Sequence, residues 1–373
     1  MKLAIDAKWY FSGPPSGVNV VKNIVDSLIS NKENFELLLI LNKKDLNNNT
    51  EFKQKMKDLN IGLISINSNF NFFTNLFLIN KELEKHQIDI VLFQNFIPFF
   101  RSKKIIYVNY IHDFLFLDYP KFFSKKERLI YTFIKHSAKK ADHIITISQT
   151  EKNRITRHLN LSDSNVSFAY HGIDKSFTPS TQLQKEIIKD KFNLPDKYIL
   201  YVGRVNVRKN LEILLDANIL LKKKYKIVLI GASDNDNGLI NRIKLDFKND
   251  IIIMGHISQD DLSAVLAAAK VLVFPSLAEG FGLPPIEAMK SGVPVIVSNI
   301  EVHKEICSSS ALYFNPFSAK DLVEKIETIF ENYNENERYI NLGKKRAEIF
   351  QWKKAVNQIS LILKNTYVNS KSN

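Results

Sequence analysis

Cysteine is almost absent from this 373-residue chain, in which Cys307 stands alone. One cysteine excludes an intramolecular disulfide framework and leaves no cysteine cluster for a structural zinc site. We therefore expect a reducing compartment, which points to the cytoplasm.

Long apolar runs are missing as well. The apolar run that ends near Ala7 is too short to form the core of a signal peptide. No stretch reaches the roughly 18–20 uninterrupted apolar residues that a membrane-spanning helix needs. We expect a cytoplasmic protein, and peripheral attachment to the inner face of the membrane stays open.

Acidic residues are outnumbered by basic ones. The 52 lysines and arginines against 39 acidic residues give a net charge of +13, so an anionic partner is expected. Residues 101–157 alone hold 13 basic and 5 acidic residues. Cations alternate with aromatics in 101–140, which predicts either an anionic membrane surface or a solvated basic face whose aromatics pack in the core. No nucleic-acid-binding motif accompanies the charge, so nucleic acid is not an expected partner.

Short β-branched or apolar runs alternate with longer amphipathic stretches, a pattern typical of parallel sheets built from βαβ units. The candidate strands of the first half are Lys2–Ala7, Phe35–Leu41, Gly62–Asn67, Asp89–Gln94, Lys104–His112, His143–Ser148 and Val166–Tyr170. Those of the second half are Tyr198–Val202, Lys226–Ile230, Ile251–Met254, Val271–Pro275, Val293–Val297 and Ala311–Phe314. Each half therefore predicts one doubly wound, Rossmann-like α/β domain.

Polar and turn residues at 174–184 mark the boundary between the two halves. We predict domains at 1–178 and 179–350, and a C-terminal helix at about 351–368 that packs back on the first domain. The last ten residues are expected to be disordered. Two such domains facing each other would form a cleft where the carboxyl ends of their strands bind ligands.

The strongest local motif is EGFGLPPIEA at 279–288, directly after a predicted strand. Its glycines permit a tight turn, and its prolines suit the first turn of a helix. Free backbone N–H groups at such a helix end bind phosphate; those predicted here belong to Phe281, Gly282 and Leu283. The competing interpretation is that Glu279 and Glu287 merely favour a helix N-terminus, worth about 0.3–1 kcal/mol each.

A second motif, GRVNVRKN at 203–210, also follows a predicted strand. Arg204 and Lys209 flank its short loop, so both cations can converge on one pyrophosphate. Alone, such a pair is more often a solvated face. Together with the first motif, the pair favours a pyrophosphate-binding site.

The two motifs together resemble the retaining glycosyltransferases of family 4, also called glycosyl transferases group 1, which have the GT-B fold. The resemblance implies that Arg204 and Lys209 hold a donor diphosphate. It also implies that Glu287 binds the ribose and Glu279 the transferred sugar. Main-chain contacts to the donor are implied at Gly255, His256, Ile257, Gly280, Phe281, Gly282 and Leu283.

In the first half, Gly17 opens a predicted helix after the first strand, and His112 ends another strand. The family usually has a glycine pair at the first position, where this chain has prolines and Ser16 before Gly17. The resemblance implies a donor contact at Gly17 and a catalytic role for His112. The implied catalytic residues are Glu279, His112, Lys209 and Arg204.

Asp234-Asn235-Asp236 spells the D-x-D pattern that holds a metal in another glycosyltransferase fold. Turn capping is the simpler interpretation, because Asp and Asn are common in loops. No metal and no other cofactor is expected.

The resemblance implies transfer of a mannose- or glucose-type hexose from a GDP- or UDP-sugar to a saccharide or lipid-linked acceptor. The setting would be synthesis of a surface polysaccharide or glycolipid. The alternatives are an epimerase or phosphorylase of the same fold, or a non-catalytic basic protein that binds membrane or nucleic acid.

Overall fold

The computed structural model describes residues 1–31, 35–67, 79–231 and 237–372. The chain divides into two compact units. One comprises Met1–His171 with Trp352–Asn373, and the other comprises Gly172–Gln351. The predicted boundary at 178 lies a few residues beyond the end of the first unit.

The first unit contains a seven-stranded parallel sheet, as its apolar runs predict. Its strands are β1 (Lys2–Asp6), β2 (Glu36–Asn42), β3 (Gly62–Ile66), β4 (Ile90–Gln94), β5 (Ile106–Ile111), β6 (His143–Thr146) and β7 (Val166–Phe168). Their order is β3-β2-β1-β4-β5-β6-β7. The central strands are buried on both faces, since β4 and β5 are buried at every position.

The helices between these strands are α1 (Pro15–Asn31), α2 (Lys43–Asn48), α3 (Thr50–Asp58), α4 (Ile79–Lys85), α5 (Leu115–Asp118), α6 (Lys125–Lys139) and α7 (Gln149–Leu159). Helix α6 begins at a capping box. The Ser124 hydroxyl accepts from the Glu127 N–H, and the Glu127 carboxylate accepts from the Ser124 N–H.

The second unit contains a six-stranded parallel sheet, again as predicted. Its strands are β8 (Tyr198–Val202), β9 (Lys226–Ile230), β10 (Ile251–Gly255), β11 (Val271–Phe274), β12 (Val295–Ser298) and β13 (Leu312–Phe314). The order β10-β9-β8-β11-β12-β13 repeats the arrangement of the first sheet. The doubly wound α/β fold predicted for both halves is therefore confirmed.

The helices of the second unit are α8 (Gln182–Phe192), α9 (Leu211–Leu220), α10 (Asn237–Asp246), α11 (Gln259–Ala268), α12 (Leu283–Lys290), α13 (Glu301–Cys307), α14 (Ala319–Glu331) and α15 (Tyr333–Ala347). Helix α16 (Trp352–Ser372) returns to the first unit, where it packs against α1. Its apolar side buries Val356, Ile359 and Leu363. The predicted disorder of the last ten residues was wrong, because the helix continues through them to Ser372.

The strand order reverses direction at one place in each sheet. In the first sheet this is between β1 and β4, and in the second between β8 and β11. Open α/β sheets bind ligands outside the carboxyl ends of the strands at such points. Within the described ranges, no helix is long and apolar enough to cross a bilayer.

Candidate functional site

The loop after β8 forms the first wall of the candidate site in the second unit. Asn206 caps a single turn of 3-10 helix at Val207–Lys209, and its side chain accepts a 3.2 Å hydrogen bond from the Lys209 N–H. This turn directs two consecutive cationic side chains, Arg208 and Lys209, toward the loop that follows β11.

Glu279, in the loop after β11, receives both cations. Lys209 Nζ lies 2.5 Å from Glu279 Oε1, and Arg208 Nη1 lies 3.0 Å from Oε2. Arg208 also donates to the carbonyl of Ala278 at 2.7 Å. The Lys209 ammonium lies 4.7 Å from the centre of the Phe274 ring at the end of β11. Two cations thus meet one carboxylate in a largely buried place.

The charges in this cluster stabilise one another. Burial alone would raise the pKa of Glu279, but the attraction of Lys209 and Arg208 outweighs it and lowers that pKa to about 2. Burial lowers the pKa of Lys209 below its usual value, although the Glu279 carboxylate opposes the shift. Two cationic side chains and one carboxylate lie together here, so the cluster is suited to an incoming anion.

Arg208 is a site residue that the sequence did not single out. Reasoning from the GR-x4-K pattern selected Arg204, which is exposed in the structure. Arg204 nevertheless lies close enough to Lys209 to contribute to the lowering of its pKa. The available signal was the Arg-Lys dipeptide itself, in which both side chains leave the same tight turn.

Helix α12 begins directly after the glycine turn. Gly282 is its N-cap residue and has φ +97°, a left-handed conformation that favours glycine. Phe281 is 4% exposed and packs edge-on against Phe350, so its ring belongs to the core. Gly280 and Leu283 complete this turn, and its main chain is the part suited to binding an anion at the helix end.

Glu287 lies one turn into α12 and is 7% exposed. Burial, together with the nearby Asp174 carboxylate, raises the pKa of Glu287 to about 8. At neutral pH it is therefore mostly a neutral acid that can donate as well as accept a hydrogen bond. The two glutamates of the E-x7-E pattern thus differ in protonation state.

The loop after β10 holds the next group of predicted residues. Gly255 has φ +67°, and its carbonyl accepts a 2.8 Å hydrogen bond from the Gly231 N–H. His256 is exposed and Ile257 is half-buried. The structure joins this loop to the turn after β9, and the base contacts implied for it stay a prediction.

His303 is a buried residue beside the glycine turn that sequence reasoning missed. Its Nδ1 lies 2.9 Å from the Ser298 carbonyl oxygen, and burial lowers its pKa to about 4. The position of its Nε2 is close to Gly282: a Cβ built on that glycine would lie 3.8 Å away. No motif marks this histidine, because only the fold brings α13 beside the loop after β11.

In the first unit, His112 follows β5 and its ring lies 5.4 Å from that of Trp9. Its Nε2 lies 3.0 Å from Gln94 Oε1, so Nε2 donates to this amide oxygen. Burial lowers the pKa of His112 to about 4, which keeps the ring neutral at pH 7. The catalytic role implied for His112 stays a prediction.

Gly17 has a packing explanation. A Cβ at this position would come 2.7 Å from Cε3 of Trp9, so the indole ring requires a glycine there. Gly13 faces the same ring, with a contact of 2.8 Å to Cδ1. The donor contact implied for Gly17 stays a prediction.

The Asp234-Asn235-Asp236 segment lies outside the described residues. Among the residues that the structure describes, no group of three or more His, Cys, Asp or Glu side chains is arranged to hold a metal ion.

Two family comparisons match most of the chain. Residues 184–346 match the family described as glycosyl transferases group 1, and residues 59–177 match glycosyltransferase family 4. Together these ranges include the Lys209–Glu279 cluster and His112.

Curated relatives include several mannosyltransferases. The chain is 32% identical over 235 residues to the O-antigen chain mannosyltransferase RfbU of Salmonella typhimurium, covering 62% of each protein. It is 31% identical over 198 residues to the serotype-specific mannosyltransferase WbdA of Escherichia coli, covering 50% of this chain and 24% of that protein. The matches therefore span less than two thirds of these relatives.

Solved structures resemble the whole fold at low sequence identity. A sucrose-phosphate synthase from Thermosynechococcus elongatus superposes with a TM-score of 0.75 at 18% identity, covering 99% of this chain and all of that one. HepE from Anabaena, crystallised with UDP and glucose, gives a TM-score of 0.70 at 17% identity, covering 97% and 99%. WaaG, a glycosyltransferase of lipopolysaccharide biosynthesis, gives 0.72 at 14% identity, covering 97% and 99%.

Proposed function

Because the chain belongs to glycosyltransferase family 4, among the glycosyl transferases of group 1, we propose that it transfers mannose from a nucleotide-sugar to a saccharide or lipid-linked acceptor. Mannose is favoured over glucose because RfbU and WbdA, two relatives above 30% identity, are mannosyltransferases. The names of these relatives also support a place in the synthesis of a surface polysaccharide. GDP-mannose is accordingly the first donor to test, and UDP-glucose the second.

The observation that carries this proposal is the cluster in which Lys209 and Arg208 meet the single carboxylate of Glu279. In the structure the Glu279 carboxylate pairs with the Lys209 ammonium. A diphosphate carries more negative charge than one carboxylate, so it competes for that ammonium and for the N–H groups at the start of α12. Lys209 would then turn to the phosphate and leave Glu279 to accept hydrogen bonds from sugar hydroxyls.

The chemistry that fits this arrangement is departure of the nucleoside diphosphate under electrostatic stabilisation. The bond between the anomeric carbon and the phosphate oxygen breaks while the acceptor oxygen bonds to the same carbon. The acceptor hydroxyl proton passes to the departing phosphate oxygen. Attack on the face that the phosphate leaves gives retention of configuration. Fixed positive groups aimed at the leaving charge are commonly the largest contribution to such catalysis.

We expect no metal to be needed, because Lys209, Arg208 and the helix end supply positive charge to the diphosphate. Arg204, next to the same loop, adds to it. Turnover in excess EDTA should equal turnover with added Mg²⁺ or Mn²⁺. Loss of activity in EDTA that either ion restores would contradict this expectation.

The experiment that tests the proposed function is a thermal-stability screen of GDP-, UDP- and ADP-sugars, followed by product analysis with and without a saccharide acceptor. A ligand that binds only the native state raises the melting temperature. We expect GDP-mannose to stabilise the protein and its sugar to appear on the acceptor. Rapid conversion of the donor to an epimer without acceptor would instead show an epimerase. Stabilisation by no nucleotide-sugar would contradict the proposal.

We further propose that the first unit meets an anionic membrane through residues 101–140 and the adjoining Phe99–Phe100 loop. Large apolar side chains there are exposed, with Phe100 at 68% and Leu129 at 66%. Leu129 lines an apolar groove of about 270 Å³ between the loop and α6, together with Phe99 and Phe133. Of the two interpretations left open above, this favours the membrane, because Leu129 and Phe133 point outward while Ile134 enters the core.

Exposed cations are frequent within residues 101–140, as an anionic lipid surface requires. The exposed ones are Arg101, Lys103, Lys104, Lys121, Lys125, Lys126, Arg128, Lys139 and Lys140. The Lys140 ammonium lies 3.9 Å from the centre of the Phe99 ring, so charge and apolar surface are interleaved. A lipid-linked acceptor would be reached at the same surface.

Sedimentation with vesicles tests this surface. The protein should sediment with phosphatidylglycerol-containing vesicles and stay in solution with phosphatidylcholine alone. The double variant Leu129→Ser/Phe133→Ser should lose the binding, whereas Leu245→Ser, at an 81% exposed position of the second unit, should keep it. Equal binding by all three proteins would contradict the assignment.

A further inference from the structure

His303 carries a buried hydrogen-bond acceptor beside the candidate site. The side chain is 0% exposed, on the helix that follows β12. Its Nδ1 lies 2.9 Å from the Ser298 carbonyl oxygen. A carbonyl can only accept, so Nδ1 carries the proton and Nε2 keeps its lone pair. Within the described parts of the chain, Nε2 has no hydrogen-bond partner.

His303 and the Lys209 ammonium both lie near the ring of Phe274. The Lys209 ammonium lies 4.7 Å from the centre of the ring, and the His303 ring lies 5.5 Å from the same centre. A Cβ built on Gly282 would lie 3.8 Å from both Phe274 and His303 Nε2. The unpartnered nitrogen therefore faces the glycine turn that opens α12.

Burial keeps His303 neutral. Burial lowers its pKa to about 4; the Glu279 carboxylate opposes this shift and the Lys209 ammonium adds to it. At pH 7 the ring is therefore an acceptor at Nε2, and it requires a partner that donates. Diphosphate oxygens at this pH only accept hydrogen bonds, whereas sugar hydroxyl groups can donate them.

We infer that His303 is a specificity-determining residue whose Nε2 accepts a hydrogen bond from a hydroxyl group of the transferred sugar. The inference rests on the proposed function. When the diphosphate draws Lys209 away from Glu279, the ammonium leaves the face of Phe274. Two acceptors then lie near the Phe274 ring: His303 Nε2, and the Glu279 carboxylate, which is close enough to act on the pKa of His303. A hexose with neighbouring hydroxyl groups supplies a donor to each.

The test compares a sugar nucleotide with the nucleotide alone. We expect His303→Phe, which keeps an aromatic ring but removes the acceptor, to raise the calorimetric Kd of GDP-mannose by roughly tenfold. The Kd of GDP, which has no sugar, should stay within about twofold of the wild-type value. If UDP-glucose proves to be the donor, the same comparison uses UDP-glucose and UDP. Equal weakening of both ligands, or of neither, would overturn the inference.

Two further variants separate recognition from packing. His303→Gln offers an acceptor oxygen and should recover part of the lost sugar affinity. Cys307→Ala alters a buried residue of the same helix and should change neither Kd. If Cys307→Ala reproduced the effect of His303→Phe, disturbed packing of the helix would explain it and the inference would be overturned.

Failure of this inference and failure of the proposed function give different results. If the wild-type protein binds neither GDP-mannose nor UDP-glucose, the proposed function and the role of His303 are both contradicted. If it binds one of them and His303→Phe keeps the wild-type preference for the sugar nucleotide over the nucleotide, only the role of His303 falls.

Discussion

The carboxyl ends of the two sheets have the same topology and different chemistry. In the second unit, Lys209 and Arg208 share one carboxylate across two loops. In the first unit, the buried Lys8 forms an ion pair with Asp6, the last residue of β1 and two residues away in the chain. His112 nearby is neutral and bonded to the neutral Gln94. Two cationic side chains meet one carboxylate in the second unit and one does so in the first, which is why we propose the Lys209 cluster as the diphosphate site.

The largest expected effect comes from removing the second-unit ion pair. Lys209→Met/Glu279→Gln removes both charges of this pair together. Arg208, whose side chain is 22% exposed, keeps its hydrogen bond to the Ala278 carbonyl, so the fold should survive. Turnover should fall by about 10²-fold or more, because the charge that stabilises the leaving group is lost. Initial rates at saturating acceptor measure this effect.

The matched control is Lys8→Met/Asp6→Asn, which removes the first-unit pair in the same way. It should keep turnover within a few-fold of wild type. Equal losses in the two double variants would erase the contrast between the sheets.

A smaller effect is expected at His112. His112→Phe removes the donor to Gln94 beside Trp9 but leaves the cation cluster intact. Turnover should fall about tenfold, in line with the loss of one hydrogen bond worth about 1.4 kcal/mol, and the Kd of GDP should not change. Parallel calorimetry and rate measurements test both statements. A drop in GDP affinity would indicate that the nucleotide binds at the first sheet, and it would contradict the proposal that the nucleotide binds at the Lys209 cluster.

The smallest effect concerns the pH dependence of stability at Glu287. Its folded-state pKa is raised from 4.5 to about 8, so the stability it contributes is full below 4.5 and is lost as pH rises toward 8. Glu279 behaves oppositely: its pKa of about 2 gives stability that is lost as pH falls below 4.5.

Urea unfolding at several pH values between 4.5 and 8 tests whether the stability contributed by Glu287 falls as pH rises. The unfolding free energy of wild type should fall with rising pH relative to that of Glu287→Gln. If the two curves run parallel between pH 4.5 and 8, Glu287 does not titrate as its surroundings indicate.

The predicted strands are all present because each is a short apolar or β-branched run, and the central ones are buried on both faces, as at Ile90–Gln94. The Lys209–Glu279 contact follows from the same topology, since both residues leave neighbouring strands at one edge. The position of His303 beside Gly282 could not be predicted, because it depends on where β12 lies in the sheet. Except for its place next to Lys209, nothing in the sequence distinguishes Arg208 from an exposed cation. Its contact with Glu279 depends on the turn that Asn206 caps.

The protonation states of Glu279 and Glu287 could not be predicted from the sequence either. Glu279 and Glu287 are the same residue type in one motif, yet Glu279 lies beside two cations and Glu287 is buried near the Asp174 carboxylate. Those surroundings come from residues distant in the chain.

The most direct test of the central claim is calorimetric titration of GDP and UDP into wild type and Lys209→Met. The account predicts that one nucleotide binds wild type and that Lys209→Met weakens it by at least tenfold, because Lys209 holds the diphosphate. Equal affinity in the two proteins would contradict the claim that the Lys209 cluster is the diphosphate site.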